Sequence, residues 1–504
     1  MRYFFNTFDS FWSQNPGILY ALAILLGVYT ALEPSPILLL PLITLGLSLR
    51  NLSIRLGFTF LLFLASFTLV QSSYQFPEEI SEGVAEFDIS SLSYDSHHFG
   101  NYWKYRGVIR QFIPNGEDQS IAKNIPCVIT VSGKNGIDRP PANCAYWIPG
   151  KLKPIGNHYY VLSIQVAEPW IPIPGSWSFA EWRLRTKQVV SSYIQKKIKG
   201  RRNADFLAGL ATGNFEDRLM SHEFVRFGLQ HIMAISGFHF AILAGILSCL
   251  FRYFFSQRKM SLILIFLLSS YFLFLGPAPS ILRAWVSILI ALFSTFLEKE
   301  SKGINSLGIA ILVICLFDPL LVQSIGFQFS VATTAAILIL FPTMNRMTQK
   351  IWRCRPLSQM IQMDGMNQHG YCILACFRGA FALTLAVNLI ALPMTLFFFQ
   401  KFPWMSLLYN LFFPFMVSIS MFLLLVGSGV GLILPFLGNG IHWLNSIFTH
   451  FSLNLIYHMP TTVDYVLRTE PFSAGIIIAY ITVIFIIGIF LQAKQEEELP
   501  FRFI

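Results

Sequence analysis

The chain has 504 residues, of which 54% are hydrophobic and only 12% charged, with a net charge of +10 and a mean hydropathy of +0.57. A soluble domain carries about a quarter of its residues as charges. Soluble globular and disordered classes are therefore both excluded, and a polytopic membrane protein remains.

In chain order, apolar runs near 17–32, 36–49 and 52–70 come first. The segment before the first run holds a single arginine, and no A-x-A site follows it, so that run reads as a retained anchor rather than a cleaved leader. Further runs lie near 229–251, 260–276, 281–297, 303–317, 323–341, 379–399, 404–434, 437–458 and 472–492. The expected count is about ten to twelve spans, the shorter runs at 36–49 and 303–317 being tilted, paired or re-entrant. Arg50 and Arg55, Arg252 and Arg258, and Arg346, Lys350 and Arg353 sit in loops that the positive-inside rule places in the cytoplasm. The N-terminus is then inside and the long stretch after residue 70 outside.

Residues 71–176 are the one sizeable hydrophilic block. YWKYRGVIRQF, CVITVSG and YYVLSIQVAE alternate like strands, with Gly, Pro and Asn turns between them. Roughly 100 residues with five or six short strands suit a small all-β barrel or sandwich. The aromatics Tyr102, Trp103, Tyr105, Tyr146 and Trp147 either fill its core or offer stacking surfaces. Cys127 and Cys144 both lie in this outside block, where a disulfide between them would persist. Cys372 and Cys376 have one-turn spacing but no second ligand pair, so no metal site is expected there.

Residues 177–202 are strongly basic. SFAE at 178–181 fits a capping box, Ser178 capping and Glu181 reaching back. The helix that follows carries Arg183, Arg185, Lys187, Lys196, Lys197, Lys199, Arg201 and Arg202 beside an apolar stripe of Val189, Val190, Tyr193, Ile194 and Ile198. It reads as an interfacial helix. Its cations serve anionic headgroups, the phosphates of a nucleic acid, or both. The domain plan is thus helices to residue 70, a β domain at 71–176, the basic helix at 177–202, a helical membrane region at 203–492 and a cytoplasmic tail at 493–504.

Within the helical region, HIMAISGFHFAIL (231–243) places His231, Ser236 and His239 in an apolar run. A charged side chain at membrane depth costs from roughly 2.5 to above 10 kcal/mol, so ionisable groups there mark function by default. The Ser236–Gly237 pair also suits close helix packing. Arg283 begins a span shortly after Pro279; it is either a snorkelling end residue or a phosphate contact in a broken-helix mouth. His442, Ser446, His450, Asn454 and His458 recur at i+4 spacing and so share a slowly drifting helix face. That stripe lines a wet path or makes interhelical hydrogen bonds. Enzyme motifs fail on spacing. Ser236 and His239 share one segment, whereas a protease dyad joins different helices. HExxH would need His at 226, where Arg226 stands, and no GxxxxGK[ST] is present.

The run FGLQHIMAISGFH, from Phe227 to His239, resembles the signature of the ComEC family of competence channel proteins. GNFEDRL, with Asn214 where the family has an acid, stands at the expected preceding turn. GPAPSILRAW (276–285), DPLLVQSIGFQFSVATTAAI (318–337) and NLIALPMTLFFFQKFPWMSLLYNLFFPF (388–415) agree with further family segments in order and spacing. The resemblance covers roughly residues 20–440. It implies a polytopic helical membrane protein with an extracytoplasmic OB-like domain at 71–176. It implies passage of single-stranded DNA across the inner membrane during natural transformation. Candidate path groups are then Arg283, His231, Ser236, His239, Gln328, Asn388, His442, Ser446, His450 and Asn454, with the 183–202 cations contacting DNA or lipid phosphate. Expected partners are single-stranded DNA, membrane lipids, an extracytoplasmic DNA-receptor protein and a cytoplasmic ATP-driven helicase-type motor; no cofactor is expected. The H-x-H-x-D-H cluster of the metallo-β-lactamase-like domain found in many members is not in this sequence, so no enzyme activity is expected. The competing reading is a transporter of small molecules or lipid-linked envelope precursors.

Overall fold

The computed structural model describes residues 2–497 apart from 50–52, 98–99, 117–118, 133–138, 157, 165–168, 216, 234–236, 299–301, 461 and 463. Four helices come first: α1 (Arg2–Gln14), α2 (Pro16–Leu32), α3 (Leu39–Ser48) and α4 (Ser53–Ser73). Pro16 lacks the N–H that would continue α1, and α1 and α2 meet at a 94° bend. α1 thus turns aside from α2, with Phe8 and Trp12 buried and the Trp12 indole donating to Ser48 Oγ at 2.9 Å.

The hydrophilic block forms β1 (Ser81–His97), β2 (Gly100–Pro114), β3 (Ala122–Ser132), β4 (Tyr146–Gly156), β5 (Tyr159–Ser163) and the short β6 (Ile171–Pro172). The sheet runs β1-β2-β3-β5-β4, and β4 pairs back with β1 to close a barrel. β3 and β5 are parallel, Cys127–Ile129 against Tyr160–Leu162; the other pairs are antiparallel. This is the OB-like topology. β1 reaches both neighbours because it is long and carries register shifts at Glu86/Phe87 and Ile89/Ser91. Alternation does the rest: Ile125, Cys127 and Ile129 point inward with Phe87, Tyr105, Phe112 and Ile148.

The disulfide expectation is corrected here. Cys127 and Cys144 are both free thiols. Cys127 is a core side chain of β3 and Cys144 packs partly buried against the same core from the segment before β4, so both act as small apolar groups. Burial pushes the Cys127 thiol up to about 12.

After the barrel come α5 (Ala180–Lys197), α6 (Arg201–Thr212), α7 (Arg218–Arg226), α8 (Gln230–Met233), α9 (Gly237–Phe251), α10 (Gln257–Leu275), α11 (Pro279–Phe296), α12 (Gly303–Phe317), α13 (Ile325–Ile351), α14 (Leu357–Ile361) and α15 (Gly365–Phe399). Strand β7 (Lys401–Pro403), helices α16 (Met405–Ile433) and α17 (Pro435–Tyr457), strand β8 (Val466–Arg468) and helix α18 (Ala474–Glu497) complete the chain. Among the described residues seven helices are long and apolar enough to cross a membrane, eight if the bent α1–α2 pair is one span. Shorter apolar helices lie at 36–48, 239–251 and 303–317. These and α17 account for the remaining apolar runs, so fewer helices qualify as spans by length and composition than the ten to twelve expected.

The helices bury several separate cores. One joins α5–α8 to α16 and α17 through Ile194, Phe206, Phe224, Tyr409, Phe413 and Ile456. Another joins α1–α3, α13, α15 and α18 around Trp12, Leu340, Ile390 and Ile489. α2, α4 and α12 share a third, and α9–α11 a fourth. Close backbone approach is possible where side chains vanish: a Cβ on Gly308 of α12 would stand 2.3 Å from the Gly17 carbonyl carbon. The protein is a polytopic α-helical membrane protein with a small OB-like β domain.

Candidate functional site

Three of the sequence segments singled out above meet at one buried point. Arg283 of α11 is 8% exposed, and its Nε donates to Ser330 Oγ of α13 at 2.5 Å. Its far end lies against Gly237, the first residue of α9, where a Cβ would stand 3.0 Å from Nη2. Gly237, Arg283 and Ser330, distant in sequence, thus converge. Arg283 points into protein and does not snorkel. His239 is buried two residues into α9. His231, on α8, is exposed, with Nδ1 3.2 Å from the Gly228 carbonyl. Ser236 lies outside the described residues.

Gln328 stands apart from this point. Its amide nitrogen donates to the Tyr29 hydroxyl and to the Val322 and Gln323 carbonyls, the last two at 3.3 Å. It fastens α13 to α2. Asn388 of α15 donates to its own helix, to the Thr384 carbonyl at 2.9 Å.

The α17 stripe divides. His442 and Ser446 are buried, His450 is exposed and Asn454 half-buried. Ser446 Oγ accepts from the Lys199 backbone N–H at 2.8 Å, and its carbonyl accepts from Asn203 Nδ2 at 3.2 Å. The His442 ring packs edge-on to Tyr193 of α5, centroids 6.2 Å apart. Asn454 and His450 pair with each other at 3.1 Å. The drift of an i+4 series carries the first two groups into the α5–α6 contact and the last ones out of it. A second polar face, one residue along, was missed by sequence reasoning. Asn445 Nδ2 donates to the Ser420 carbonyl at 3.1 Å, and Thr449 Oγ1 contacts Asn445 Oδ1 and Ser420 Oγ at 3.2 and 3.3 Å. All three are buried and bind α17 to α16. The i+4 spacing of Asn445 and Thr449 was the available signal. In a background free of native cysteines, cysteine at 450 or 454 is expected to react with a water-soluble thiol reagent, while cysteine at 446 stays protected. Equal labelling rates at the three positions would contradict the Ser446 contact.

The basic helix does two jobs. Arg183 Nε donates to the Leu273 carbonyl at 2.8 Å and Lys187 Nζ to the Leu275 carbonyl at 2.9 Å, so both cap the C-terminus of α10, where cations are favoured. Arg183 also reaches the Ser90 carbonyl of the barrel at 2.9 Å. Burial, aided by Arg183, brings Lys187 down to about 8. Lys197 donates to Asn439 Oδ1 at 2.8 Å. Lys196, Lys199, Arg201 and Arg202 remain exposed. Arg201 reaches Asp205 only at 3.8 Å, and Arg202 lies over the Tyr457 ring at 4.9 Å. Gly200, at φ 87°, makes the tight turn between α5 and α6 that presents them.

Glu181 does not close a capping box. Ser178 Oγ donates instead to the Ile89 carbonyl at 2.5 Å, although it still accepts from Ala180 N–H at 3.2 Å. The Glu181 carboxylate accepts from Arg139 Nη1 and Nη2 at 2.8 and 2.9 Å, from Ala142 N–H at 3.2 Å and from Arg185 Nε at 3.0 Å. Arg139 covers the Trp103 ring at 4.5 Å. The Arg139 guanidinium beside Glu181 holds its carboxyl at about 2. Of the barrel aromatics, Tyr105 and Tyr146 are buried, their hydroxyls donating to the Pro140 and Pro141 carbonyls at 2.6 Å. Tyr102, Trp103 and Trp147 are half-buried, and Trp103 leans on exposed Tyr94.

A multi-span helical bundle with a buried arginine, a small OB-like barrel and a basic helix between them define a polytopic membrane protein with one β domain. The chain belongs to the competence protein family, whose profile matches residues 212–494 and so contains Gly237, Arg283 and Ser330. It is 29% identical over 125 residues to ComE operon protein 3 of Bacillus subtilis (strain 168), a stretch that is 25% of this chain and 16% of that protein. No solved structure matches.

Proposed function

We propose that the chain conducts single-stranded DNA across the inner, cytoplasmic membrane during natural transformation, as a conduit and not as an enzyme. The family match over the helical region carries this reading. The N-terminus lies in the cytoplasm, and the barrel with α5 lies outside or at the interface. A single strand is a flexible polyanion with flat apolar faces, so capture calls for cations with stacking surfaces. Lys196, Lys199, Arg201 and Arg202 supply the former, and Tyr94, Trp103 and Trp147 the latter. The P-loop motif is lacking in this sequence, so the drive comes from a cytoplasmic ATP-dependent motor of helicase type; an extracytoplasmic DNA receptor delivers the strand.

The test is a deletion strain. Transformation by added DNA is expected to fall to background while growth and envelope integrity stay normal. Normal transformation with an envelope defect would favour the precursor transporter instead.

A further inference from the structure

His442 of α17 is 1% exposed, and both of its ring nitrogens are buried with no hydrogen-bond partner among the described residues. Buried polar groups are nearly always paired, so such a ring calls for a reason. α16 closes one side of it: a Cβ on Gly427 would stand 3.1 Å from Nδ1 and Cε1. α5 closes the other with the Tyr193 ring and, one turn back along α17, with Lys197, whose Nζ donates to Asn439 Oδ1. One turn forward, Ser446 holds the Lys199 N–H and the Asn203 amide. His442 therefore sits between the two fastenings that seat the α5–α6 turn on α17.

The charges around the ring are nearly all of one sign. α16 and α17 contain no Asp, Glu, Lys or Arg. The α5–α6 turn brings Lys196, Lys197, Lys199, Arg201 and Arg202. Its one acid, Asp205, accepts from Gln195 at 3.1 Å and lies 3.8 Å from Arg201. A neutral imidazole fits this place. A protonated one would be a buried cation beside Lys197 with no acceptor and no counter-charge, which is strongly unfavourable. In water the same ring takes up a proton at about pH 6.5.

We infer that His442 is a proton-sensitive latch for the α5–α6 turn, which is seated at neutral pH and released in acid. The lifted turn leaves an imidazole that binds a proton; the seated turn does not. Seating is therefore complete above about pH 6.5 and weakens as pH falls below it, by up to about tenfold per pH unit. The exposed Lys196, Lys199, Arg201 and Arg202 ride on this turn, so acid changes how those cations are presented.

Amide hydrogen exchange over residues 196–204 tests this in the full chain, held in phosphatidylcholine nanodiscs, with intrinsic exchange rates divided out. The Lys199 N–H, held by Ser446, reports seating. Wild-type protection is expected to fall roughly eightfold between about pH 7 and about pH 5.5. His442→Asn and His442→Leu, one polar and one apolar, do not titrate and should show the same protection at both. Asp205→Asn should leave the wild-type fall in place. Wild-type protection that ignores pH would overturn the latch. So would His442 variants that lose protection as steeply as wild type, or an Asp205→Asn protein in which the fall is gone.

Discussion

Glu181→Gln is expected to loosen the barrel from α5 and destabilise the protein by about 3 kcal/mol, the low end for removing one partner of a buried ion pair. Glutamine keeps the shape and one acceptor oxygen, but it cannot answer both nitrogens of Arg139, the Ala142 N–H and Arg185 together. Arg139 would be left four-fifths buried against Trp103 without its anion. The pH dependence follows from the same contacts. The carboxyl is held at about 2, below its ordinary 4.5, so folding gains from the ionised form. That gain is complete above pH 4.5 and disappears as pH falls through about 2. Wild type should therefore lose barrel docking on acidification, and the variant should show a flatter acid limb. Limited proteolysis of the 139–145 segment at graded pH measures it. Identical cleavage profiles for wild type and variant would refute the role given to Glu181.

Gly438→Leu should open the tip of the α16–α17 hairpin. A Cβ at Gly438 would meet the Gly431 Cα at 2.3 Å, the Gly431 nitrogen at 2.7 Å and the Gly427 carbonyl oxygen at 2.9 Å. Those are backbone atoms and cannot swing aside like a side chain. Gly427 and Gly431 form a G-x-x-x-G step on α16 that lets the two helices touch. Prising them apart strains the contacts of Asn445 and Thr449 with Ser420, and of Ser446 with Lys199. The expected loss is about 3 kcal/mol, the upper range for overpacking. Gly440→Leu is the control: a Cβ there meets nothing within 4 Å, so the change should stay within about 0.5 kcal/mol. Thermal unfolding in detergent compares the two. A Gly438→Leu protein as stable as the Gly440→Leu one would rule out the close approach.

Much of the architecture could be read from local pattern. Period-two alternation from Tyr102 to Val131 announced the barrel strands, and long apolar runs announced the membrane helices. These signals survive because each depends only on which face of one element is buried. What failed depended on partners far away. SFAE has the spacing of a capping box, yet Arg139, from the barrel, takes Glu181. Cys127 and Cys144 share a compartment and a core but stay free thiols. The stripe from His442 to Asn454 was visible as a series. Which members turn toward α5 and which away is decided by Lys199 and Asn203, some 240 residues upstream. Arg283 could be picked out as an odd charge in an apolar run, but its setting between Gly237 and Ser330 needed the fold.

Arg183 grips both Ser90 in the barrel and Leu273 at the end of α10, and Lys187 holds Leu275 beside it. The barrel is thereby hitched to the corner between α10 and α11. The attachment lies at residues 273–275, just ahead of Pro279, and Arg283 sits about one helical turn further along. Parting the barrel from the membrane helices therefore requires undoing the fastening at the α10 C-terminus, a few residues ahead of the buried guanidinium.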